Sequence, residues 1–308
     1  MPRFVISLTT LPDRLPHIKP VIKSIIDKNP GIDKLYICLP YGDVEEELIP
    51  NDTDIIKVIR CKDYGPITKI LGCLPYENDP DTLILTLDDD TIITQNLSKI
   101  FKKKSLRYPD SALSMSGWCH GSFPSYFQLV IDNDKDIYVD WIQGVHGILY
   151  KRKFLDLDEV LEFDKDVKVL FKNDDHRISA YLETKNINRL VINRNPRNYF
   201  KNYCKVSGID PISGGSIYKS VKFWKDVYDI SSRYKKKGIY YRNYSKSKSV
   251  VFIVIFLLIL LIGLFILISY NCNFDSYLYS IGLLILLIII FLLLINYLFF
   301  SMMLEKEK

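Results

Sequence analysis

The stretch Thr82-Leu-Ile-Leu-Thr-Leu-Asp88-Asp89-Asp90 decides how this chain is read. Residues 82–87 have the length and composition of a buried strand, and they run directly into three carboxylates. In an open α/β sheet, ligands bind at the carboxyl ends of the strands. Adjacent acids at such a place repel one another, and a hard divalent cation, which takes carboxylate and phosphate oxygens together, relieves the repulsion. A solvated acidic turn is the alternative.

The flanking sequence supplies the sheet. Apolar runs at 4–8, 34–39 and 55–61 read as further strands. Helical patterns separate them, at 18–28 (apolar Ile18, Val21, Ile22, Ile25 and Ile26), 67–74 and 97–107. Alternating strand and helix predicts an α/β fold with a mostly parallel central sheet. Pro16 and Pro20 blur the start of the first helix. Beyond Arg107 the pattern becomes strands with loops, at 111–116, 126–131, 137–141 and 147–151. A helix at 176–185 and a strand at 189–192 follow, then a loop over 193–215 rich in Asn, Pro, Ser and Gly. Residues 218–234 read as an amphipathic helix whose Val221, Trp224, Val227 and Tyr228 face a core.

A second motif, Asp63-Tyr64-Gly65-Pro66-Ile67-Thr68-Lys69, follows the preceding strand and opens a helix. Gly65 permits a tight turn and Pro66 suits the first helical position. A helix amino terminus with Lys69 in its first turn can receive a phosphate. An ordinary loop-to-helix junction has the same residues.

Charge and cysteine content narrow the function classes. Residues 1–249 carry 39 of the 41 Lys and Arg and 33 of the 36 acids, a mild positive balance with the signs interleaved. This argues against nucleic acid as a partner. The exception is 233–248, with seven Lys and Arg and no acid. Cys38, Cys61, Cys73, Cys119, Cys204 and Cys272 form no C-x-x-C pair. They read as free thiols in a reducing compartment. The opening Met-Pro-Arg-Phe-Val-Ile-Ser-Leu is too short an apolar run for a signal peptide, so the amino-terminal part is expected in the cytosol.

The carboxyl-terminal part is of another kind. Between Val250 and Phe300 there is no Lys or Arg and one acid, Asp275. Residues 250–270 and 278–300 are each long enough, at about 1.5 Å per residue, to span a hydrocarbon core of about 30 Å. The short polar turn at 271–277 makes them a hairpin, followed by a short tail at 301–308. The basic cluster before the first span favours the cytosolic side, and Tyr240, Tyr241 and Tyr244 suit the headgroup layer. The expected organisation is a globular domain over 1–217, an amphipathic and basic juxtamembrane segment over 218–249, and a two-span membrane anchor over 250–300.

Residues 4–192 resemble a glycosyltransferase of the GT-A fold, similar to family 2 and of the kind found in large-virus and bacterial sugar-transferase clusters. The resemblance rests on Ile6-Ser-Leu-Thr-Thr-Leu-Pro-Asp-Arg14, Tyr64-Gly-Pro-Ile-Thr-Lys69, Leu85-Thr-Leu-Asp-Asp-Asp90, Gly144-Val-His-Gly-Ile-Leu-Tyr150 and Asn173-Asp-Asp-His-Arg-Ile-Ser-Ala-Tyr181. These pieces come in the family's order and cover about three-fifths of the chain.

The resemblance implies a Rossmann-like nucleotide-sugar-binding domain, a nucleotide-diphosphate sugar donor, and Mn²⁺ or Mg²⁺ held by Asp88 and Asp90. Asp89, Thr10, Arg14 and Lys69 fall where the family lines the nucleotide and its diphosphate, and Gly144 and Gly147 where it places a turn beside the sugar. Asp174 and Asp175 match the late acidic pair that supplies the base in inverting enzymes, with Asp175 the first choice. The acceptor would be a glycan, lipid or protein hydroxyl, reached from a membrane-bound enzyme surrounded by lipid. His176 stands where the family has a Trp or other hydrophobic residue.

Other readings of these residues stay open. The Asp174-Asp175 pair can cap a helix. His146 and His176 are candidate metal ligands or structural histidines. Trp118 and His120 can stack on a sugar or pack under a loop, and Gly214-Gly215 can belong to a closing segment or a plain loop. A haloacid-dehalogenase-like phosphatase also uses D-x-D at a strand end, although its Thr or Val two residues on is Ile92 here. A catalytically inactive, membrane-anchored sugar-recognition protein is the non-enzyme alternative.

Overall fold

Phe4–Thr9 (β1) is apolar on both faces: Phe4, Ile6 and Leu8 enter one core layer and Val5 the other. A strand covered on both faces has to be a near-continuous apolar run, which is why its sequence shows no alternation. In the computed structural model, which describes residues 2–120, 127–131, 135–171, 173–192, 204–206 and 221–237, β1 pairs in parallel with Lys34–Pro40 (β2) and Leu83–Leu87 (β4). Ile56–Cys61 (β3) extends the parallel half beyond β2.

Helices cover the two faces. Lys19–Lys28 (α1) buries Val21, Ile22 and Ile25 in the first layer, and Leu97–Arg107 (α3) adds Leu97 and Phe101. Pro20 lies in the first turn of α1, where its missing N–H has no helical partner to lose. Asn96 caps α3, its side chain accepting from the Lys99 amide at 2.8 Å. The second layer holds Thr68–Leu71 (α2), Leu157–Glu162 (α4) and Asp174–Thr184 (α5), through Ile70, Leu71, Val160, Ile178, Tyr181 and Leu182.

Past β4 the sheet changes direction. Trp141–Lys151 (β9) runs antiparallel to both β4 and Ser111–His120 (β6). Phe127–Ile131 (β7) pairs with β6, Asn188–Val191 (β10) lies parallel to β6, and Ile137–Tyr138 (β8) closes that edge. The sheet is therefore mixed, parallel from β3 to β4 and again between β6 and β10 and antiparallel in its other pairs, rather than mostly parallel throughout. The connection between β6 and β9 carries β7 and β8 and, among the described residues, no crossover helix of the kind that returns a strand parallel. Thr91–Ile93 (β5) and Cys204–Val206 (β11) form a separate two-stranded ribbon.

The chain divides into two units, Met1–Asn243 and Tyr244–Lys308. Within the first, Val221–Lys236 (α6) is a helix overlapping the segment read as amphipathic over 218–234, and the side chains of Val221, Trp224, Val227 and Tyr228 lie outside the described residues. Its Ile230 and Tyr234 are buried with Trp118, Trp141, Leu170 and Ala180. The second unit lies outside the described residues, and with it the spans read at 250–270 and 278–300. Among the described residues no helix is long and apolar enough to cross a membrane.

Candidate active site

The register of β1 on β4 sets Leu8 beside Leu87, so the residues that leave the two strands meet. Thr10 Oγ1 donates to Asp89 Oδ2 at 2.7 Å, and Arg14 Nη1 donates to Asp89 Oδ1 at 2.5 Å. Arg14 Nη2 stands 3.5 Å from Asp90 Oδ2. Asp89 is thus no solvated turn residue: it is 4% exposed and ties the loop after β1 to the end of β4. Burial pushes its carboxyl up to about 6, against the Thr10 hydrogen bond and the Arg14 charge, with Asp90 and Asp88 adding to the rise. The side chains of Asp88 and Asp90 stay more open, at 34% and 19%.

Lys69, buried on α2, turns to the other side of the triplet. Its Nζ donates to Asp88 Oδ1 at 3.0 Å and lies 3.3 Å from Asp174 Oδ2. Ser7 Oγ fixes the same residue from below by donating to the Lys69 carbonyl at 2.6 Å. Burial alone would lower the ammonium's pKa, but Asp174, Asp88 and Asp175 outweigh it and hold the group well above the lysine range. α2 is a single turn, so the positive charge at this place is that of Lys69 itself rather than of a helix dipole.

The third part of the site is a bulge in β9. Ser114 pairs with Ile148, but Ser116 pairs with Gln143, so residues 144–147 stand out of the ladder. Ser114 Oγ bridges the two ends of the bulge, 2.7 Å from the Gln143 carbonyl and 3.2 Å from that of Gly147. The bulge aims the Gly144 amide at Asp175, which accepts through Oδ1 at 2.9 Å. Gly147 packs on β4: at φ +93° a Cβ there would press on Leu87 and Leu85.

Asp174 and Asp175 open α5, but the N-cap residue is Asn173. The two carboxylates reach Lys69 and Gly144 instead of capping the helix. Burial raises the Asp175 pKa well above the carboxylate range. Asp174 and Asp88 add to it, and Lys69 and the Gly144 amide oppose it. The loop carrying Lys69 and the turn before Asp174 also touch directly, because a Cβ on Gly65 would strike the Phe171 carbonyl.

The structure thus gathers Thr10, Arg14, Lys69, Asp88, Asp89, Asp90, Gly144, Asp174 and Asp175 at one end of the sheet. Tyr150 belongs with them and was not singled out by the sequence beyond lying in the Gly144–Tyr150 motif. It is fully buried on β9, and burial raises its hydroxyl's pKa well above the usual range, with Asp175 adding and Lys69 opposing. Ser114 carries no sequence signal at all.

The His176 ring packs with its centroid 4.6 Å from that of Trp141, on which Trp118 also stacks at 6.0 Å. His146 is buried in the bulge. The side chain of His120 and the Gly214-Gly215 pair lie outside the described residues. Cys38, Cys61, Cys73 and Cys119 are free thiols.

Among the described residues no group of three His, Cys, Asp or Glu is arranged to hold a metal. Asp88 and Asp90 offer two partly open carboxylates on either side of a buried third. Mg²⁺ is commonly held by one or two carboxylates with substrate phosphates filling the rest of its shell, so the pair fits a cation that arrives with its phosphates.

No protein-family model and no curated protein matches the chain. Among solved structures it is similar to a crystal structure of GalNAc-T7 with UDP, GalNAc and Mn²⁺, with a TM-score of 0.48 and 10% identity. The likeness covers 62% of this chain and 41% of that one, so the chain spans less than half of that protein's length.

Proposed function

We propose that the chain is a metal-assisted glycosyltransferase of the GT-A type, transferring a sugar from a nucleotide-diphosphate donor to an acceptor hydroxyl with inversion. The observation that carries this reading is the position of Lys69 Nζ, within 3.3 Å of carboxylates from both the strand-end triplet and the late acidic pair. One cation joins the two halves that such a transfer needs.

In this reading Thr10 and Arg14 shape the nucleotide loop through Asp89. Asp88 and Asp90 hold the cation, which when bound supplies positive charge to the departing diphosphate. Lys69 adds its own charge there as bonding to the sugar weakens. Asp175, fixed by the Gly144 amide, takes the acceptor proton. Asp174 holds Lys69 between the two carboxylate groups. The apolar segments at 250–270 and 278–300 anchor the domain as a hairpin. The basic stretch at 233–248 supports a cytosolic position for it, beside lipids, with a glycan, lipid or protein acceptor.

The test is release of nucleotide from a panel of nucleotide sugars by the purified full chain, with and without acceptors. Asp175→Asn should lower turnover about a hundredfold or more while nucleotide-diphosphate affinity stays unchanged. Asp90→Asn should weaken that affinity in Mn²⁺. Failure to turn over any donor would overturn the reading, and full transfer in excess chelator would remove the metal from it.

A further inference from the structure

Helix α6 lies far from the acids in sequence, yet it packs against the elements that hold Asp175. Tyr234 is fully buried and stacks on Phe163, with ring centroids 6.2 Å apart. Together with Ile230 it fills a cluster with Trp118, Trp141, Leu170 and Ala180. Two of these matter for the site: Ala180 lies on α5, and Trp141 carries the ring against which His176, the neighbour of Asp175, is packed. A polar latch closes the same contact. Arg233 Nη2 lies 3.2 Å from Asp164 Oδ1, and Lys237 donates to the same oxygen. Arg233 and Lys237 are one helical turn apart, so they meet a single target from one face.

Asp164 is an unusual target. Its backbone is left-handed, φ 50°, where a non-glycine residue is uncommon. Its side chain is 6% exposed, and Oδ2 is buried with no hydrogen-bond partner among the described residues. A carboxylate held in this way needs its two cations. From the other side, α5 grips the same segment: Arg177 Nε donates to the Phe163 carbonyl at 2.7 Å, and Nη2 to those of Val160 and Leu161 at 2.8 and 2.9 Å. Residues 160–171 are thus clamped between α5 and α6.

We propose that Asp164, Arg233 and Tyr234 are positioning residues for the acceptor-side carboxylate: α6 is a strut that sets where α5 presents Asp175. The proposal rests on the transferase reading for its effect on turnover. Of the groups that would hold the nucleotide, Thr10, Arg14 and Asp88–Asp90 follow β1 and β4 and touch neither Asp164 nor α6 in any described contact, whereas Lys69 reaches α5 through Asp174. Loosening α6 should therefore separate turnover from nucleotide binding.

Three measurements on the full chain test it. Tyr234→Ala should lower kcat about ten- to a hundredfold, the scale of a small misplacement of a reacting group. UDP affinity in Mn²⁺ should stay within about twofold of the parent, since binding groups left in place keep their contacts. Tyr234→Phe, which keeps the ring, should restore kcat. Amide hydrogen exchange over 174–184 should quicken in Tyr234→Ala while that over 83–93 does not, and this readout needs no activity. If Tyr234→Ala does not fold, Arg233→Glu carries the same comparison from the surface. A parent-like kcat with unchanged exchange at 174–184 would overturn the strut, as would equal losses of kcat and UDP affinity. A full chain that turns over no nucleotide sugar would overturn the transferase reading and leave the exchange result to decide the strut.

Discussion

Asp175 takes its direction from Gly144: the Gly144 amide donates to Asp175 Oδ1 at 2.9 Å across two elements distant in sequence. The donor is available only because β9 bulges at 144–147, and Ser114 on the neighbouring strand closes the bulge at both ends. A backbone donor in a bridged bulge is a stiff reference for a carboxylate, since reorienting it would also break the Ser114 contacts.

This relationship predicts the effect of Gly144→Ala. A Cβ at that position would lie 3.2 Å from Asp175 Oδ1 and 3.3 Å from Lys69 Nζ, so one of them must give by a few tenths of an ångström. Turnover should fall about tenfold or more through misplacement of the base, with little loss of stability. A folded Gly144→Ala protein with parent turnover would show that Asp175 does not need its present position.

Lys69→Met should destabilise the fold. The substitution removes a buried ammonium from beside Asp88, Asp174 and Asp175, and breaking a buried pair from one side costs about 3–5 kcal/mol. Because the folded pKa of Lys69 is raised, its contribution is present at and below the ordinary lysine range and is lost as pH rises through the higher folded value. Urea unfolding at pH 7 therefore reads it in full. A loss under about 1 kcal/mol, the size of an exposed pair, would mean that solvent reaches the cluster.

The parallel half of the fold was legible because strands buried on both faces must be continuous apolar runs, as 4–8, 34–39 and 82–87 are. The segment 147–151 was read as a short strand because Gly144 and Gly147 look like turn residues; they sit in a bulge of a strand that begins at Trp141. α4 is too short for periodicity to reveal, although Asp156 caps it by accepting from the Glu159 amide at 3.0 Å. The acids themselves were found, but their partners were not. That Asp89 turns inward to Thr10 and Arg14 depends on strand register. That His176 packs on Trp141 depends on how α5 lies against β9. Neither leaves a local mark in the sequence.

Asp89 gives a pH prediction with a definite sign. Its folded pKa is about 6, above the unfolded value of 3.8, so between these values the folded state binds more protons. Stability then falls as pH rises through that window, by an amount on the order of 2–3 kcal/mol for this site. Melting temperatures measured from pH 4 to pH 7 should show the fall in the parent chain. Asp89→Asn, which cannot titrate but keeps an acceptor for Thr10, should flatten it. An equally steep profile in Asp89→Asn would assign the dependence to another group, with Asp175, also raised, the first to examine.

The orientation of the domain at the membrane is the last prediction, and it rests on charge. Seven Lys and Arg residues and no acid lie in 233–248, just before the first apolar segment, whereas 271–277 holds no Lys or Arg. Short loops rich in Lys and Arg stay on the cytosolic side, and attraction to an anionic leaflet adds about 1 kcal/mol per basic residue near the surface. If 250–270 and 278–300 cross as a hairpin, residues 1–249 and 301–308 share the cytosolic face and 271–277 lies opposite. Protease added to sealed microsomes should digest residues 1–249. A glycosylation acceptor site engineered into 271–277 should be modified in the lumen. Protection of the amino-terminal domain from protease would reverse the orientation and move the acceptor to the lumenal side. Extraction of the whole chain at alkaline pH without detergent would show that it does not span at all.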